Sequence, residues 1–396
     1  MSRLEELIAE LCPDGVEYKE LSAIFNTRNG YTPSKSNKEF WENGTVPWFR
    51  MEDIRENGRI LSSATQMVSR SAVKGEPFPA NSIIVATSAT IGEHALITVP
   101  SLANQRFTYL VLKPDYQNLF DIKFLFYYCF RLDQYCRECL NQGNFASVDM
   151  KKFAKFRFPV PPLPVQSEIV KILDNFTELT AELTAELTAE LTARKKQYEY
   201  YRDKLLTFDV LGGGASDCVW RTLAEIADIG TGNSNTNEGL DEGRYPFFVR
   251  SQEPRRKNEF EFDETAIITA GDGVGVGKVL HYVEGKYALH QRAYRIHINT
   301  PDVLPKYYFH YMQAMFLPYI QKNMFQGSVA SIRRPMLNEF PVPIPPLSTQ
   351  HRIVAILDRF DALCNDLTSG LPAEIAARQK QYEYYRDKLL TFAERT

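Results

Sequence analysis

Residues 193–208 read ARKKQYEYYRDKLLTF, and residues 377–392 read ARQKQYEYYRDKLLTF. Fifteen of the sixteen positions are identical, at an offset of 184 residues. The same offset places Pro161-Pro162-Leu163 on Pro345-Pro346-Leu347 and Gln166 on Gln350. Identity at this level between distant segments excludes chance, so the chain contains one unit twice.

Each repeated segment begins with a proline-rich stretch and continues with a helical pattern. Because proline fits neither a strand ladder nor a helix interior, the stretch predicts an extended connector to a helix start. Apolar residues then recur at steps of three and four, which favours one helix from Val165 to about Phe208, roughly 60 Å long. In the second copy, Ser369-Gly370-Leu371-Pro372 predicts a break or kink. An apolar stripe this long needs a partner, and the other copy is the obvious one. The stripe of this helix-pair spacer includes Leu179, Leu183, Leu187 and Leu191.

The remaining sequence, residues 1–155 and 211–340, differs between the two halves but keeps a faint likeness. Runs such as residues 82–85 (SIIV) and 266–269 (AIIT) predict strands, and glycine and asparagine clusters between them predict turns. Asn104-Gln105-Arg106 in the first part parallels His290-Gln291-Arg292 in the second. The sequence therefore predicts two small α/β domains of one fold with different surfaces.

Composition sets limits on the class of protein. The 396 residues include 44% hydrophobic and 24% charged residues, as in globular domains. No apolar stretch approaches the ~18 residues of a membrane span, and the first residues do not read as a secretory signal, so we expect a cytoplasmic protein with reduced cysteines. The net charge is −3, with 18 basic against 18 acidic residues in 1–155 and 14 against 15 in 211–340. Any affinity for nucleic acid must come from how the basic residues are distributed.

Motifs that would make the chain an enzyme are incomplete. Its Pro-Pro pairs are followed by leucine, so the Asn/Asp-Pro-Pro-Tyr/Phe motif of amino-methyltransferases is absent. The run Gly271-Asp-Gly-Val-Gly-Val-Gly-Lys278 fails the phosphate-loop pattern, because Asp272 stands where its first glycine belongs and Val279 follows the lysine. A turn that needs glycine is the better interpretation. Cys136 and Cys139 form a single CxxC without a second ligand pair, which does not indicate a metal site.

The chain resembles the specificity subunits of type I restriction–modification enzymes over essentially its full length. The resemblance rests on the Pro-Pro-Leu helix start and the KQYEYYRDKLLTF helix end, each present twice, and on tandem TAEL tetrapeptides at residues 180–191. Gly30-Tyr-Thr-Pro-Ser34, Phe40-Trp41, Gly44 and Val46-Pro47-Trp48 resemble a recurring opening of such recognition domains.

The resemblance implies an α+β fold: two similar α/β target recognition domains, two long antiparallel coiled-coil helices between them, and a pseudo-two-fold internal repeat. The expected parts are an N-terminal target recognition domain (1–155), a central conserved helix (156–210), a C-terminal target recognition domain (211–340) and a C-terminal conserved helix (341–396). Each domain would read one half of a split double-stranded DNA target, and the helix pair would set the spacer between the halves.

Partners and cofactors follow from the same resemblance. Two modification (methyltransferase) subunits and the translocating restriction subunits would dock on this chain. S-adenosylmethionine, Mg²⁺ and ATP are expected only on those partners, with no cofactor, metal or catalytic residue here and no membrane contact. The host would be a bacterium or archaeon.

Basic residues in polar surroundings are the candidates for DNA contact, since guanidinium and ammonium groups suit phosphates and guanine edges. An alternative stays open in which the chain is a coiled-coil adaptor without DNA contact. The candidates are Arg28, Lys35, Arg50, Arg70, Lys74 and Arg106 in the first part, and Arg250, Arg255, Arg256, Lys257, Lys278, Arg292, Arg333 and Arg334 in the second.

Overall fold

The computed structural model describes residues 2–141, 146–208, 218–323, 331–366 and 369–395. It has two compact units: unit 1 comprises Met1–Thr184 and Ala377–Thr396, and unit 2 comprises Ala185–Ala376. Each unit thus contains one globular part together with portions of the long helices. The predicted division into four parts at residues 155, 210 and 340 separates the helices from the two globular domains, and it stays a prediction.

Unit 1 is built on a five-stranded and a three-stranded sheet with helices packed against them. The sheet orders are β2-β9-β6-β7-β4 and β5-β3-β8, and β1 pairs with β10. Three short 3₁₀ turns lie at Lys38–Phe40, Arg70–Ala72 and Pro114–Tyr116. The elements are α1 (Arg3–Leu11), β1 (Glu17–Glu20), α2 (Leu21–Ile24), β2 (Phe25–Asn29), β3 (Val46–Phe49), α3 (Met51–Asn57), β4 (Ile60–Leu61), β5 (Met67–Val68), β6 (Ser82–Ala86), β7 (His94–Ile97), β8 (Leu102–Ala103), β9 (Phe107–Leu112), α4 (Ile122–Glu138), α5 (Met150–Ala154), β10 (Arg157–Val160) and the first half of α6 (Leu163–Leu206).

Unit 2 has a six-stranded sheet of order β12-β17-β15-β16-β13-β14, and β11 pairs with β18. One 3₁₀ turn lies at Thr236–Glu238. Its elements after α6 are β11 (Val219–Thr222), α7 (Leu223–Ile226), β12 (Ala227–Thr231), β13 (Tyr245–Phe248), β14 (Arg255–Lys257), β15 (Phe262–Ala270), β16 (Leu280–Leu289), β17 (Ala293–Ile298), α8 (Pro305–Asn323), α9 (Arg334–Asn338), β18 (Pro341–Ile344), α10 (Leu347–Asn365) and α11 (Leu371–Leu389), which continues into unit 1.

The two units share one topology, which confirms the predicted duplication and the mixed α and β fold class. The order β2-β9-β6-β7 in unit 1 corresponds to β12-β17-β15-β16 in unit 2. Each unit also has a parallel pair that includes an aromatic-rich strand, β3 with β8 in the three-stranded sheet of unit 1 and β13 with β16 in the six-stranded sheet of unit 2. The predicted strands at 82–85 and 266–269 lie in β6 and β15, whose apolar side chains are buried in the core.

The first part of each proline-rich stretch is a strand, β10 or β18, which the sequence did not predict. Pro159 lies opposite Tyr18 in the β1–β10 pair, and Pro343 lies opposite Trp220 in the β11–β18 pair. A two-stranded sheet has only edge strands, and edge strands tolerate proline because one side of each needs no ladder hydrogen bond. The extended conformation was predicted correctly, but the pairing was not.

The predicted long helix is confirmed as α6, and the predicted break as the gap between Asn365 of α10 and Leu371 of α11. The leucine stripe is only partly buried. Leu187 is buried and Leu183 and Leu191 are half-buried, whereas 60% of Leu179 is exposed. The expectation of a partner along the whole stripe is therefore wrong at Leu179. No helix in the described part of the chain is both long and apolar enough to cross a membrane.

A buried glutamine anchors the start of the long helix in each unit. Gln166 Nε2 donates to the carbonyl oxygens of Leu119 (2.8 Å) and Pro161 (2.7 Å), and its Oε1 accepts from the Asp121 amide (2.8 Å). Gln350 makes the three equivalent bonds in unit 2, to Asp302 O, to Pro345 O and from Leu304 N. Both glutamines are fully buried, so the repeated residue fixes each helix to the loop before α4 or α8.

Replacing Gln166 with leucine should destabilise unit 1 by about 3 kcal/mol, because two carbonyls and one amide lose their partner in a buried site. Chemical denaturation followed by circular dichroism measures the free energy of unfolding. Gln117→Leu is the matched control, since Gln117 is exposed. Equal stability of the two variants would contradict the anchoring role.

Candidate nucleic-acid interface

An exposed Gln-Arg turn occupies the same place in both units, just before β9 and just before β17. The Arg106 amide donates to Asn104 Oδ1 and the Arg292 amide donates to His290 Nδ1, each at 2.9 Å. The amides of Asn104 and His290 in turn donate to the carbonyls at the ends of β3 and β13, at 3.0 and 2.9 Å. The likeness read from the sequence is therefore a shared turn, and both arginines project from it exposed.

The histidine in the second turn is held neutral. His290 is 4% exposed, and its burial, together with the nearby Arg250 guanidinium, lowers its pKa. A neutral ring has one nitrogen without a proton, and because the Arg292 amide donates to Nδ1, this nitrogen is the acceptor, as Asn104 Oδ1 is in unit 1. Two chemically different residues thus hold one backbone conformation.

The glutamines of the two turns form hydrogen bonds to the loop that follows β2 in unit 1 and β12 in unit 2. Thr32 donates its hydroxyl to Gln105 Oε1, and Gln291 Nε2 donates to Asn235 Oδ1. These bonds tie the turn to residues 32 and 235, so the two loops form one surface in each unit. The residues at the bridge differ between the two units.

In unit 2 several candidate cations are neutralised within the protein. Asp272 lies 2.6 Å from Arg250 and 3.2 Å from Arg292. Although partial burial opposes ionisation, these guanidiniums keep the pKa of Asp272 below its usual value. A cation that already has a carboxylate partner gains less binding energy from a phosphate. The ion pair with Asp272 therefore gives Arg250 a role in the fold in addition to any contact with DNA.

The three basic residues 255–257 form strand β14. They pair with β13, where Arg256 lies opposite Pro246. Lys257 donates to Glu238 at 2.7 Å, and this bond lowers the pKa of Glu238. Arg256 is exposed and, within the described residues, has no carboxylate within 4.0 Å. The strand therefore presents Arg255 and Arg256 outward and holds Lys257 against the protein.

The glycine run in unit 2 is a turn, as predicted. Gly273 and Gly277 have φ of +84° and +70°, which only glycine adopts readily. Lys278 follows the turn and is exposed. Arg333 precedes α9 and Arg334 begins it, with the Arg334 guanidinium donating to the Ile229 carbonyl at 2.6 Å.

The unit 1 candidates differ in what they contact. Arg70 is paired with Glu76 at 2.9 Å, and the Lys74 amide donates to the Tyr31 hydroxyl. Arg28 lies on β2 with its guanidinium over the Phe78 ring. Lys35 and Arg50 instead line a cleft. Lys38 and Gln66 line the same cleft, and the sequence analysis did not single out these two residues.

No group of three or more potential metal ligands is close together in the ranges that the structure describes. Cys136 is buried in α4, and Cys139 follows the helix end.

Two units of one topology, with matching exposed turns and divergent basic surfaces, define an internally duplicated protein suited to reading two related sites. The family model of the type I restriction modification DNA specificity domain matches residues 13–193 and again residues 216–377. The chain belongs to this family.

Relatives and solved structures agree. The Escherichia coli type I restriction enzyme EcoprrI specificity subunit is 46% identical over 93% of this chain and 92% of its own length. A chain from a structural study of complex assembly and conformational transition in the type I R-M system has a TM-score of 0.65 at 17% identity, over 96% of this chain and 98% of that one. The HsdS subunit from Thermoanaerobacter tengcongensis has a TM-score of 0.56 at 15% identity, over 96% and 97%. Family membership does not favour the adaptor without DNA contact.

Proposed function

We propose that this chain is the non-catalytic DNA-specificity subunit of a type I restriction–modification complex. Unit 1 reads one half of a split duplex target, unit 2 reads the other, and helix α6 sets the distance between the halves. The observation that carries the proposal is the shared Gln-Arg turn on two units of one topology whose surrounding residues differ.

Two copies of one partner fit the duplicated segments. Tyr200 in unit 2 and Tyr384 in unit 1 are 60% and 63% exposed, although they belong to the most similar stretches of the chain. Each packs edge-on against the next tyrosine, with ring centroids 5.3 Å apart and planes at 75° in both copies. Exposed tyrosines in a fixed geometry are typical protein contacts, and identical patches suit identical subunits. We assign them to two modification subunits.

The chemistry belongs to the partners under this proposal. S-adenosylmethionine would bind the modification subunits, which methylate adenine, while Mg²⁺ and ATP would serve the restriction subunits. The complex would act in the cytoplasm of a bacterium or archaeon.

The isolated full-length chain should transfer no methyl group from S-adenosylmethionine to DNA, whereas its complex with the modification subunit should methylate a bipartite motif. Radiolabel transfer measures the first result, and methylome sequencing of a host that expresses both subunits measures the second. Transfer by the chain alone above a protein-free control, or a continuous motif from the complex, would overturn the proposal.

A further inference from the structure

Unit 1 contains an open cleft of about 540 Å³ between the loop at residues 31–42 and strand β3. Its lining combines aromatic, basic and amide side chains with a single acid. The lining residues are Lys35, Lys38, Trp41, Glu42, Trp48, Arg50 and Gln66.

The aromatic wall consists of two indole rings in fixed positions. Trp41 and Trp48 meet edge to face with centroids 5.0 Å apart. Their Nε1 groups donate to the carbonyls of Ser34 and Tyr31, each at 3.0 Å. Both indole donors are used inside the protein and Trp48 is only 6% exposed, so a ligand meets mainly the apolar ring of Trp41, which packs against Trp48.

The basic wall has no internal counter-charge. In the described part of the chain, no side-chain nitrogen of Lys35, Lys38 or Arg50 has a carboxylate within 4.0 Å. The Arg50 guanidinium lies 6.0 Å from the Trp48 ring centroid, and its Nε is buried without a hydrogen-bond partner among the described residues. Three cations against Glu42 favour an anion, and a buried donor without a partner favours an acceptor that binds there.

Unit 2 handles the corresponding position differently. Phe247 occupies on β13 the place of Trp48 on β3, since each is the first residue of the parallel pair. The cation beside it, Lys257, lies 5.9 Å from the Phe247 ring centroid but is bonded to Glu238. In unit 2 the cation is thus paired with Glu238, whereas the cations of the unit 1 cleft have no carboxylate partner among the described residues.

We propose that the unit 1 cleft binds one nucleotide of the DNA, with the base on the accessible ring of Trp41 and the phosphate on Lys35, Lys38 and Arg50. The inference rests on the proposed function and adds a site to it. Aromatic surfaces bind any base through its ring face, and in a duplex those faces are covered by neighbouring bases. The bound nucleotide has therefore left the stack, and the basic wall holds the backbone on either side of it.

Intrinsic fluorescence tests the site directly, because the chain has three tryptophans and two of them line the cleft. Trp220→Phe removes the third and leaves the cleft as the only reporter. Short single-stranded oligothymidylate should quench this variant saturably, and an abasic strand of the same length should quench it far less. Thymidine monophosphate should bind more weakly than the strand, because it engages a single phosphate.

Basic-wall variants in the same background separate a built site from diffuse attraction. Lys35→Gln with Lys38→Gln should weaken binding of the strand about tenfold. The slope of log affinity against log salt should become shallower by about 1.4, the value for two phosphate contacts on a single strand. Lys151→Gln, an exposed lysine elsewhere in unit 1, should change neither by as much. Arg50→Lys keeps the charge and tests the buried Nε, with an expected loss of similar size.

Absence of quenching by the strand, or equal binding by the double variant and the Lys151→Gln control, would overturn the site. Thymidine monophosphate binding as tightly as the strand would overturn DNA as its source and indicate a site for free nucleotides. In either case, continued binding of a target duplex by the assembled complex would leave the proposed function intact. Failure of the assembled wild-type complex to bind the target duplex would instead contradict the proposed function.

Discussion

Deleting residues 184–187 should shorten the spacer between the two recognised half-sites by one base pair, and by two at most, without changing either half-site. Four residues contribute about 6 Å to a helix, and DNA advances about 3.4 Å per base pair. The full 6 Å need not project onto the DNA axis, which is why one base pair is the expected change. Loss of methylation at the original motif should be essentially complete, since the two units would no longer fit both half-sites together.

The fold should survive this deletion because the apolar pattern of α6 is kept. Leu191 moves into the place of Leu187, four residues after Leu183, as in the intact chain. Leu187 is the buried residue of this stretch, so a leucine in its place preserves the packing. A deletion of one or two residues would instead rotate the leucines that follow it out of the apolar stripe.

Methylome sequencing of a host expressing the deletion variant with its modification partner gives the new motif. Glu186→Gln is the matched control, because Glu186 is exposed and the substitution keeps the helix length. An inserted TAEL tetrapeptide should lengthen the spacer by the same amount that the deletion shortens it. Full activity with an unchanged spacer in the deletion variant would show that α6 does not determine the distance.

The duplication could be predicted from the sequence because the same residues recur at a constant offset of 184. Gln166 and Gln350 stand at one offset, and their equivalent hydrogen bonds show why the residue recurs. The turn at Arg106 and Arg292 could be recognised because its residues are consecutive in the sequence. In each turn the arginine amide donates to a side chain two positions earlier, so the short motif carries this part of the conformation.

The candidate site was less predictable, because pairing over long sequence separations decides which cations are available. Lys257 lies in a basic triplet, but Glu238, nineteen residues earlier, neutralises it. Nothing local distinguishes Lys257 from Arg256, which stays exposed. The cleft likewise joins Lys35, Arg50 and Gln66 from three segments, and only the Phe-Trp and Val-Pro-Trp motifs signalled its aromatic wall.

Replacing Tyr200 with aspartate should remove one modification subunit from the assembled complex, and adding Tyr384→Asp should remove both. An aspartate at the centre of a protein contact loses the ring surface and buries an unpaired charge, which together should weaken docking about a hundredfold or more. Methylation of the bipartite motif should fall accordingly, although DNA reading by the two units is untouched.

These two tyrosines can be changed without disturbing the helices, because their neighbours make the internal contacts. Tyr201 stacks on Phe360 with centroids 6.1 Å apart, and Tyr385 meets Phe176 at 6.3 Å. Phe176 and Phe360 stand at the offset of 184, so in each copy the second tyrosine contacts a phenylalanine and the first is the more exposed of the two. Circular dichroism and thermal unfolding should accordingly match the wild type in both variants.

Native mass spectrometry of the reconstituted complex counts the subunits. If the two patches bind identical partners, Tyr200→Asp and Tyr384→Asp should each give a complex with one modification subunit, and the double variant should give the free chain. Glu199→Gln is the control, since it changes a neighbouring side chain without removing the aromatic contact. Full occupancy in the double variant would place the docking surface elsewhere. Loss of both partners from either single variant would show that they bind cooperatively, because identical independent patches cannot produce that result.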